Sequence, residues 1–261
     1  MSDSVTENNR RVYERRSTAS YWTTELSPAE QAIFAHRAAD IDGKDILDLG
    51  VGTGRTTRFL APRGHRYLGI DYSERMVALC RARFPAADVR LGDARELGWI
   101  PENSFDFALF SFNGIDNVDH NGRMQVLAEV FRVLRPGGVF AFSSHNLETA
   151  GSAFASRLLQ SRTASNLSNL ANPVRVAAAT HRLARRLYNY TRNRRREIRA
   201  DGYAMLNDGA LEFALLQYYV TESEQIRQLK EVGFVEHVDV HADDIDAPYS
   251  LYYLTRKPAK P

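Results

Sequence analysis

Three glycines at alternate positions, Gly50, Gly52 and Gly54, follow an acid in the run Asp48-Leu49-Gly50-Val51-Gly52-Thr53-Gly54-Arg55. A β-favouring pair, Ile46-Leu47, leads into them, and a helical pattern from Thr56 to Leu60 follows. Strand, glycine turn and helix in that order bring backbone N–H groups against a ligand with no Cβ in the way. The spacing is G-x-G-x-G, whereas the dinucleotide fingerprint is G-x-G-x-x-G. Two more acids end strand-like runs downstream. Asp71 closes Tyr67-Leu68-Gly69-Ile70-Asp71, 21 residues after Gly50, and a carboxylate there can accept from both hydroxyls of a ribose or cap a helix. Asp93, in Leu91-Gly92-Asp93-Ala94, can accept from an adenine amino group or serve as a loop aspartate. Tyr72 and Met76 can lie along an adenine face, and Met76 suits core packing as well.

The elements that must position these residues alternate. Strand-length apolar runs at Asp45–Leu49, Tyr67–Ile70, Val89–Leu91, Phe105–Phe110 and Gly138–Ser143 are separated by amphipathic stretches, which predicts a mostly parallel sheet with helices on both faces. Before the last of them, Leu127, Val130, Phe131 and Leu134 recur at helical spacing; Asp119 suits the N-cap and Pro136-Gly137-Gly138 the stop. Residues from about Leu147 to Asp208 carry no strand signal and read as an inserted helical subdomain. A helix from Thr221 to Val232 ends at Gly233, and Val235–Val240 and Tyr249–Thr255 supply two more strands. The division expected within one domain, 1–261, is a helical N-terminal cap (1–40), a cofactor-binding core (41–146), a basic helical insertion (147–208) and a C-terminal part of the core (209–261).

At 261 residues with 44% hydrophobic content, the chain suits one α/β domain with an elaboration. No apolar run approaches the ~18–20 residues that cross a bilayer, and the polar start Met1 to Asn9 has no apolar signal core, so a cytoplasmic protein is expected. The single cysteine, Cys80, cannot form an internal disulfide and falls in a helical pattern suited to core packing. Charge is uneven. Residues 151–200 hold eleven arginines and one acid, Glu197, so that segment is +10 and leaves −8 for the rest of a chain whose total is +2. Such contrast speaks to partners rather than fold.

Two further stretches join the glycine run and the acids: Phe105-Asp106-Phe107-Ala108-Leu109-Phe110-Ser111-Phe112-Asn113, and Val133-Leu134-Arg135-Pro136-Gly137-Gly138. In order and spacing over Lys44–Asn146, the five elements resemble the class I S-adenosylmethionine-dependent methyltransferases. The resemblance implies a Rossmann-like, seven-stranded, mostly parallel sheet with its last strand antiparallel, and S-adenosylmethionine as cofactor. It implies that Gly50, Gly52 and Gly54 approach the methionine moiety and Asp48 its ammonium. Asp71 would hold the ribose, Asp93 and Ala94 the adenine, while Ser111, Phe112 and Asn113 would flank the sulfonium. Arg55 suits either the cofactor carboxylate or the helix surface. Tyr13 and Tyr21 match tyrosines that close an N-terminal helix over the cofactor in related enzymes.

Methyl transfer is an in-line displacement, so the protein's task is alignment in a dry site. A hydroxyl acceptor needs a base. His145, in Ser143-Ser144-His145-Asn146, is the candidate, with a structural role at the strand end as the alternative; Asn113 joins it as a catalytic candidate. Asp116, Asp119 and His120 crowd the loop after the fourth strand, where turns and capping suit them better than a metal, and Asp116 is also a candidate substrate contact. The chain lacks the Asn/Asp-Pro-Pro-aromatic box of nucleic-acid amino-methyltransferases, and Cys80 lies on the wrong helix for cytosine-C5 chemistry.

Between Val176 and Ile198 the residues Val176, Leu183, Leu187, Tyr190 and Ile198 form one apolar helical stripe, with arginines opposite. Arg194 projects within the stripe and either snorkels or points into the cleft. A basic lid favours a small anionic acceptor, such as a sugar-nucleotide or glycolipid intermediate, with Arg194, Tyr203 and Tyr219 as contacts. RNA methylation through the arginine helix, contact with an anionic membrane surface and a non-catalytic cofactor-binding partner or sensor remain as alternatives. Nothing in the pattern assigns an oligomeric state.

Overall fold

The computed structural model describes residues 3–15, 25–150, 173–239 and 250–259. Five strands with few charges run parallel at its centre: β1 (Asp45–Leu49), β2 (Arg66–Asp71), β3 (Val89–Leu91), β4 (Phe105–Phe110) and β5 (Leu134–Asn146). Their order is β3-β2-β1-β4-β5, with Ile46 opposite Tyr67 on one side and Phe107 on the other. Side chains alternate faces along each strand. Phe107 and Leu109 pack with Ile33, Ile41 and Cys80 in one layer, whereas Ala108 and Phe110 pack with Val126, Leu127 and Leu229 in the other. A sheet covered on both faces has no solvent side for polar residues, which is why these strands read as near-continuous apolar runs.

Helices supply the two covers. On one side lie α2 (Pro28–His36), α3 (Ala38–Ile41), α4 (Thr57–Leu60) and α5 (Glu74–Arg83); on the other lie α6 (His120–Val133) and α8 (Glu222–Val232). Side chains set their starts. Ser27 and Glu30 form a capping box on α2, while Ser73, Asp119 and Thr221 cap α5, α6 and α8. Gly233, at φ 108°, closes α8. Cys80 is fully buried on α5, and burial pushes its thiol up to about 11, as suits a packing residue.

Two helices lie over the sheet's C-terminal edge. The first, α1 (Asp3–Tyr13), is anchored through buried Asn9, whose Nδ2 donates to the carbonyls of Asn117 (3.1 Å) and Leu216 (2.6 Å). The second, α7 (Pro173–Arg194), belongs to the basic insertion.

The insertion departs from expectation. Beside α7 it contains β6 (Ile198–Arg199) and β7 (Tyr203–Asp208), which pair antiparallel, and β7 pairs antiparallel with β8 (Leu215–Val220). β8 then runs parallel to the last two residues of β5, so a three-stranded branch grows from the end of that strand. The strands escaped sequence reading because β6 has two residues and because Asn207 and Asp208 dilute the apolar signal of β7. Below the branch the sheet continues as expected: β10 (Ser250–Arg256) lies antiparallel to β5, and β9 (Val235–Asp239) flanks β10. Pro136-Gly137-Gly138 lies within the long β5 rather than stopping α6, which already ends at Val133.

The apolar stripe of α7 is a second correction. Leu183 and Leu187 are more than half exposed, and Ile198 is also exposed. Of the stripe, Tyr190 packs edge-on against Phe213 (5.5 Å), and beside it buried Asn189 and Asn193 donate to the carbonyls of Glu212 (2.9 Å) and Phe213 (3.0 Å). Those carbonyls belong to a turn where Leu211, Glu212 and Phe213 all have positive φ, so the turn satisfies few of its own groups. Among the described residues no helix is long and apolar enough to cross a membrane.

Candidate cofactor and acceptor site

A cleft opens at the C-terminal ends of β1, β2 and β4, where an open parallel sheet parts between strands of opposite winding. Gly50, Gly52, Arg55, Asp71, Tyr72, Met76, Asp93, Ala94, Ser111 and Phe112 all line it, as does Tyr13 from α1. Tyr13 reaches across to Tyr72, with ring centroids 6.1 Å apart. Tyr21 lies outside the described residues.

Asp48 is not among the lining residues; it lies buried next to the lining Leu49 at the end of β1. Its Oδ2 accepts from Thr56 Oγ1 (2.7 Å) and Tyr67 Oη (2.8 Å), while its buried Oδ1 makes no hydrogen bond. Burial pushes this carboxyl up to about 7, against the two hydroxyl donors. Gly52 has φ 55°, and a Cβ there would meet nothing within 4 Å, so the turn leaves an open cradle beside the loop. The Gly52 amide is spent on Asp71 Oδ2 (2.9 Å), and the Ser73 amide on Asp71 Oδ1 (2.9 Å). Burial raises Asp71 to about 6, with these backbone donors opposing it. Each oxygen keeps acceptor capacity for a hydroxyl. An orphaned carboxylate oxygen, a cradle without Cβ and a second buried carboxylate fit the ammonium, main chain and ribose of S-adenosylmethionine.

Gly54 is not part of this wall. A Cβ there would lie 2.5 Å from the Phe84 ring and 2.9 Å from Cys80 Sγ, so its smallness serves helix packing rather than the cofactor. Arg55 takes neither expected role alone: it forms an ion pair with the fully buried Glu30 and lies 4.7 Å over the Phe112 ring. Glu30 also accepts from Ser111 Oγ and so ties α2 to both cavity loops. The capping box was legible in Ser27-x-x-Glu30, but these distant partners were not. Asp93 is held by Arg95, in a bidentate pair whose closest contact is 2.7 Å, and lines the cavity with its remaining edge.

At the end of β4, Phe112 and Asn113 both adopt left-handed φ, 55° and 57°. This is costly for a phenylalanine and characteristic of functional turns. The Asn113 amide donates to Ser143 Oγ (2.7 Å) and its Nδ2 to Ser250 Oγ (2.7 Å), while its Oδ1 is without a hydrogen bond. At the end of β5, His145 is held by Asp116: Oδ2 accepts from the ring Nδ1 and from the backbone amide, both at 2.7 Å. Asp116 is fully buried, and its Oδ1 takes Ser144 Oγ (2.7 Å) and the guanidinium of Arg123 (2.6 Å), itself fully buried. Asp116 therefore cannot touch a substrate as expected; it orients the histidine. Arg123 was missed because an arginine amid the apolar pattern of α6 reads as a solvated position.

Tyr219 is buried and stacks on His145 (4.8 Å), and Tyr203 stacks on His120 (4.3 Å), so neither lines the cavity. Arg194 is exposed and donates to Tyr190 Oη (2.7 Å) instead of pointing into the cleft. Asp119 is spent on capping, and His120 bonds Tyr218 Oη (2.8 Å).

Residues 46–138 match a family model described as a methyltransferase domain. A protein of Mycolicibacterium smegmatis named "probable S-adenosylmethionine-dependent methyltransferase" is 39% identical over 126 residues, covering 48% of this chain and 46% of its own. A demethylmenaquinone methyltransferase of Listeria welshimeri is 39% identical over 108 residues, or 38% of this chain and 44% of its own. The chain thus spans less than half the length of these curated relatives. Among solved structures, a methyltransferase of Methanosarcina mazei described as S-adenosylmethionine-dependent superposes with a TM-score of 0.57 at 17% identity, covering 90% of this chain and all of its own. That likeness bears on the fold.

Proposed function

From a chain that carries a class I S-adenosylmethionine-dependent methyltransferase domain, we propose an enzyme that moves a methyl group to an oxygen or nitrogen of a small, anionic acceptor of the sugar-nucleotide or glycolipid type. The observation that carries the reading is a cavity at the strand C-termini backed by the buried, unmatched Asp48 Oδ1, with an oriented histidine, His145, outside its lining at the end of β5. Support for a small-molecule acceptor comes from the Listeria relative, which is named for one. The arginines of α7 support its anionic character.

Asp48 receives the cofactor's ammonium, Gly50 and Gly52 admit its main chain, and Asp71 accepts from its ribose. Asp93, Ala94, Tyr72 and Met76 enclose the adenine. The bound cofactor supplies an electrophilic methyl on a sulfonium. Asp116 accepts the Nδ1–H of His145, which leaves Nε2 as the basic nitrogen to take the acceptor's proton. Arg123 holds Asp116 in place. Asn113, next to the lining Phe112 and Gly114 although not among the lining residues, carries a buried Oδ1 without a hydrogen bond and is the candidate to accept from the acceptor's hydroxyl or amine.

Calorimetric titration with S-adenosylmethionine and S-adenosylhomocysteine tests the cofactor half. Micromolar binding, weakened at least about tenfold in Asp71→Ala (about 1.4 kcal/mol), is expected; no binding to a folded wild type would overturn the reading. A methyl-transfer screen over hydroxyl and amine acceptors, with His145→Ala alongside, tests the other half.

A further inference from the structure

A second concavity, about 1650 Å³ and wide open, lies between α1, the turn after β3 and the end of α7. It shares Tyr72 and Asp93 with the cofactor cavity. Arg10, Arg11 and Arg15 reach it from α1 and just beyond, Arg95 from the turn, and Arg192 and Arg196 from α7 and the residues after it. Its two acids are already spent: Glu7 pairs with Arg11 (2.8 Å) and Asp93 with Arg95 (2.7 Å). Arg10, Arg15 and Arg192 therefore add charge that, among the described residues of the groove, neither acid balances. Burial, then Arg185 and Arg192, pull Arg15 below the usual arginine range against the opposing Glu212, and burial and Arg192 do the same to Arg196. Like charges gathered this closely carry a cost that a bound anion relieves.

The wall offers more than charge. Thr6 is 4% exposed and its Oγ1 makes no hydrogen bond, and the Tyr72 hydroxyl is buried and likewise without one. Two orphaned hydroxyls beside converging guanidiniums form a donor set for an anion with many oxygens. A lone carboxylate has one charge and two oxygens; forks from three elements match phosphoryl groups better.

We infer that this groove is a binding site for a phosphoryl-bearing small anion, separate from the position where the methyl is transferred. The separation follows from the lining. The residues that line the groove include neither His145 nor any residue of β4 or β5. Because α1 carries both Tyr13 onto the cofactor cavity and Arg10 onto the groove, an anion there ties α1 down over the cofactor. Each ligand then tightens the other by the same factor. That linkage, unlike the anion site itself, rests on the methyltransferase reading.

Titration with tripolyphosphate, with and without S-adenosylhomocysteine, tests both parts. Arg10→Ala with Arg192→Ala removes two groove arginines that lie on exposed helix surface, and Arg195→Ala changes charge outside the wall; thermal melting verifies that each folds. The expected result is tripolyphosphate binding without cofactor, weakened at least about tenfold in the double variant and unchanged in Arg195→Ala. Equal binding by wild type and double variant, or equal weakening by Arg195→Ala, overturns the site. Single-stranded RNA that binds more tightly than tripolyphosphate and loses affinity in Arg195→Ala overturns it in favour of a diffuse nucleic-acid surface. Loss of S-adenosylhomocysteine binding with tripolyphosphate binding intact would sink only the cofactor reading.

Discussion

Asp116 grips His145 twice through a single oxygen, Oδ2, which accepts from the ring Nδ1 and from the backbone amide at 2.7 Å each. The second contact locks the carboxylate to the strand end, so the ring cannot turn without breaking its bond to that fixed oxygen. Replacement of Asp116 by Asn should therefore lower kcat for a hydroxyl acceptor by about 10²–10³, approaching His145→Ala, with S-adenosylhomocysteine affinity unchanged. Steady-state rates beside calorimetry check this. A parallel loss of cofactor affinity would mean that the pair supports the cavity rather than the proton transfer.

Arg123 has no solvent to fall back on. Its guanidinium bonds Asp116, Ser144 and Gln228 and lies 4.6 Å over the Tyr218 ring. Arg123→Met should cost about 3–5 kcal/mol, because it leaves Asp116 charged and buried. Adding Asp116→Asn should recover part of that loss. Chemical denaturation of the two variants measures the difference.

Asp48 makes the cofactor site pH-dependent. Its carboxyl sits at about 7 through burial, well above the ordinary aspartate value. A group raised on folding stabilises the protein below its unfolded pKa, and that contribution fades as pH rises through its folded pKa. Without cofactor, the chain should therefore lose stability between pH 4 and about 7, with Asp71, at about 6, adding to the slope. Cofactor affinity should move the other way and rise through pH 7, as the ionised carboxylate meets the ammonium. Both slopes should flatten in Asp48→Asn, which thermal melts and titrations across pH 5–8.5 would read.

Two glycines of the loop should separate by phenotype. At Gly52 a Cβ meets nothing, so Gly52→Ala, apart from strain at its positive φ, should mainly fill the cradle and weaken S-adenosylhomocysteine binding by at least about tenfold. At Gly54 a Cβ strikes Phe84 and Cys80, so Gly54→Ala should destabilise the fold by about 1–3 kcal/mol. Melting and calorimetry on the pair distinguish the two outcomes.

On α7, Leu187→Ala should shift stability by less than about 0.5 kcal/mol, because the side chain is already 57% exposed. Asn193→Ala, by contrast, should cost about 1–3 kcal/mol, since it removes a buried hydrogen bond to the Phe213 carbonyl. The opposite ranking in denaturation would restore the apolar stripe as the packed face.

What the sequence determined by itself is everything that depends on neighbours along the chain. The glycine turn after β1, the acids ending β2 and following β3, the caps Asp119 and Thr221 and the histidine at the end of β5 are local patterns, and period and propensity expose them. Tertiary structure alone decided the partners. Glu30 joins Arg55 and Ser111 from 25 and 81 residues away, and Arg123 meets Gln225 and Gln228 across more than a hundred. The short strands of the insertion exist because β8, itself paired with β5 at His145 and Asn146, lends β7 an edge. A buried charge or a two-residue strand carries no signal of its own, since its stability comes from groups that only folding brings near.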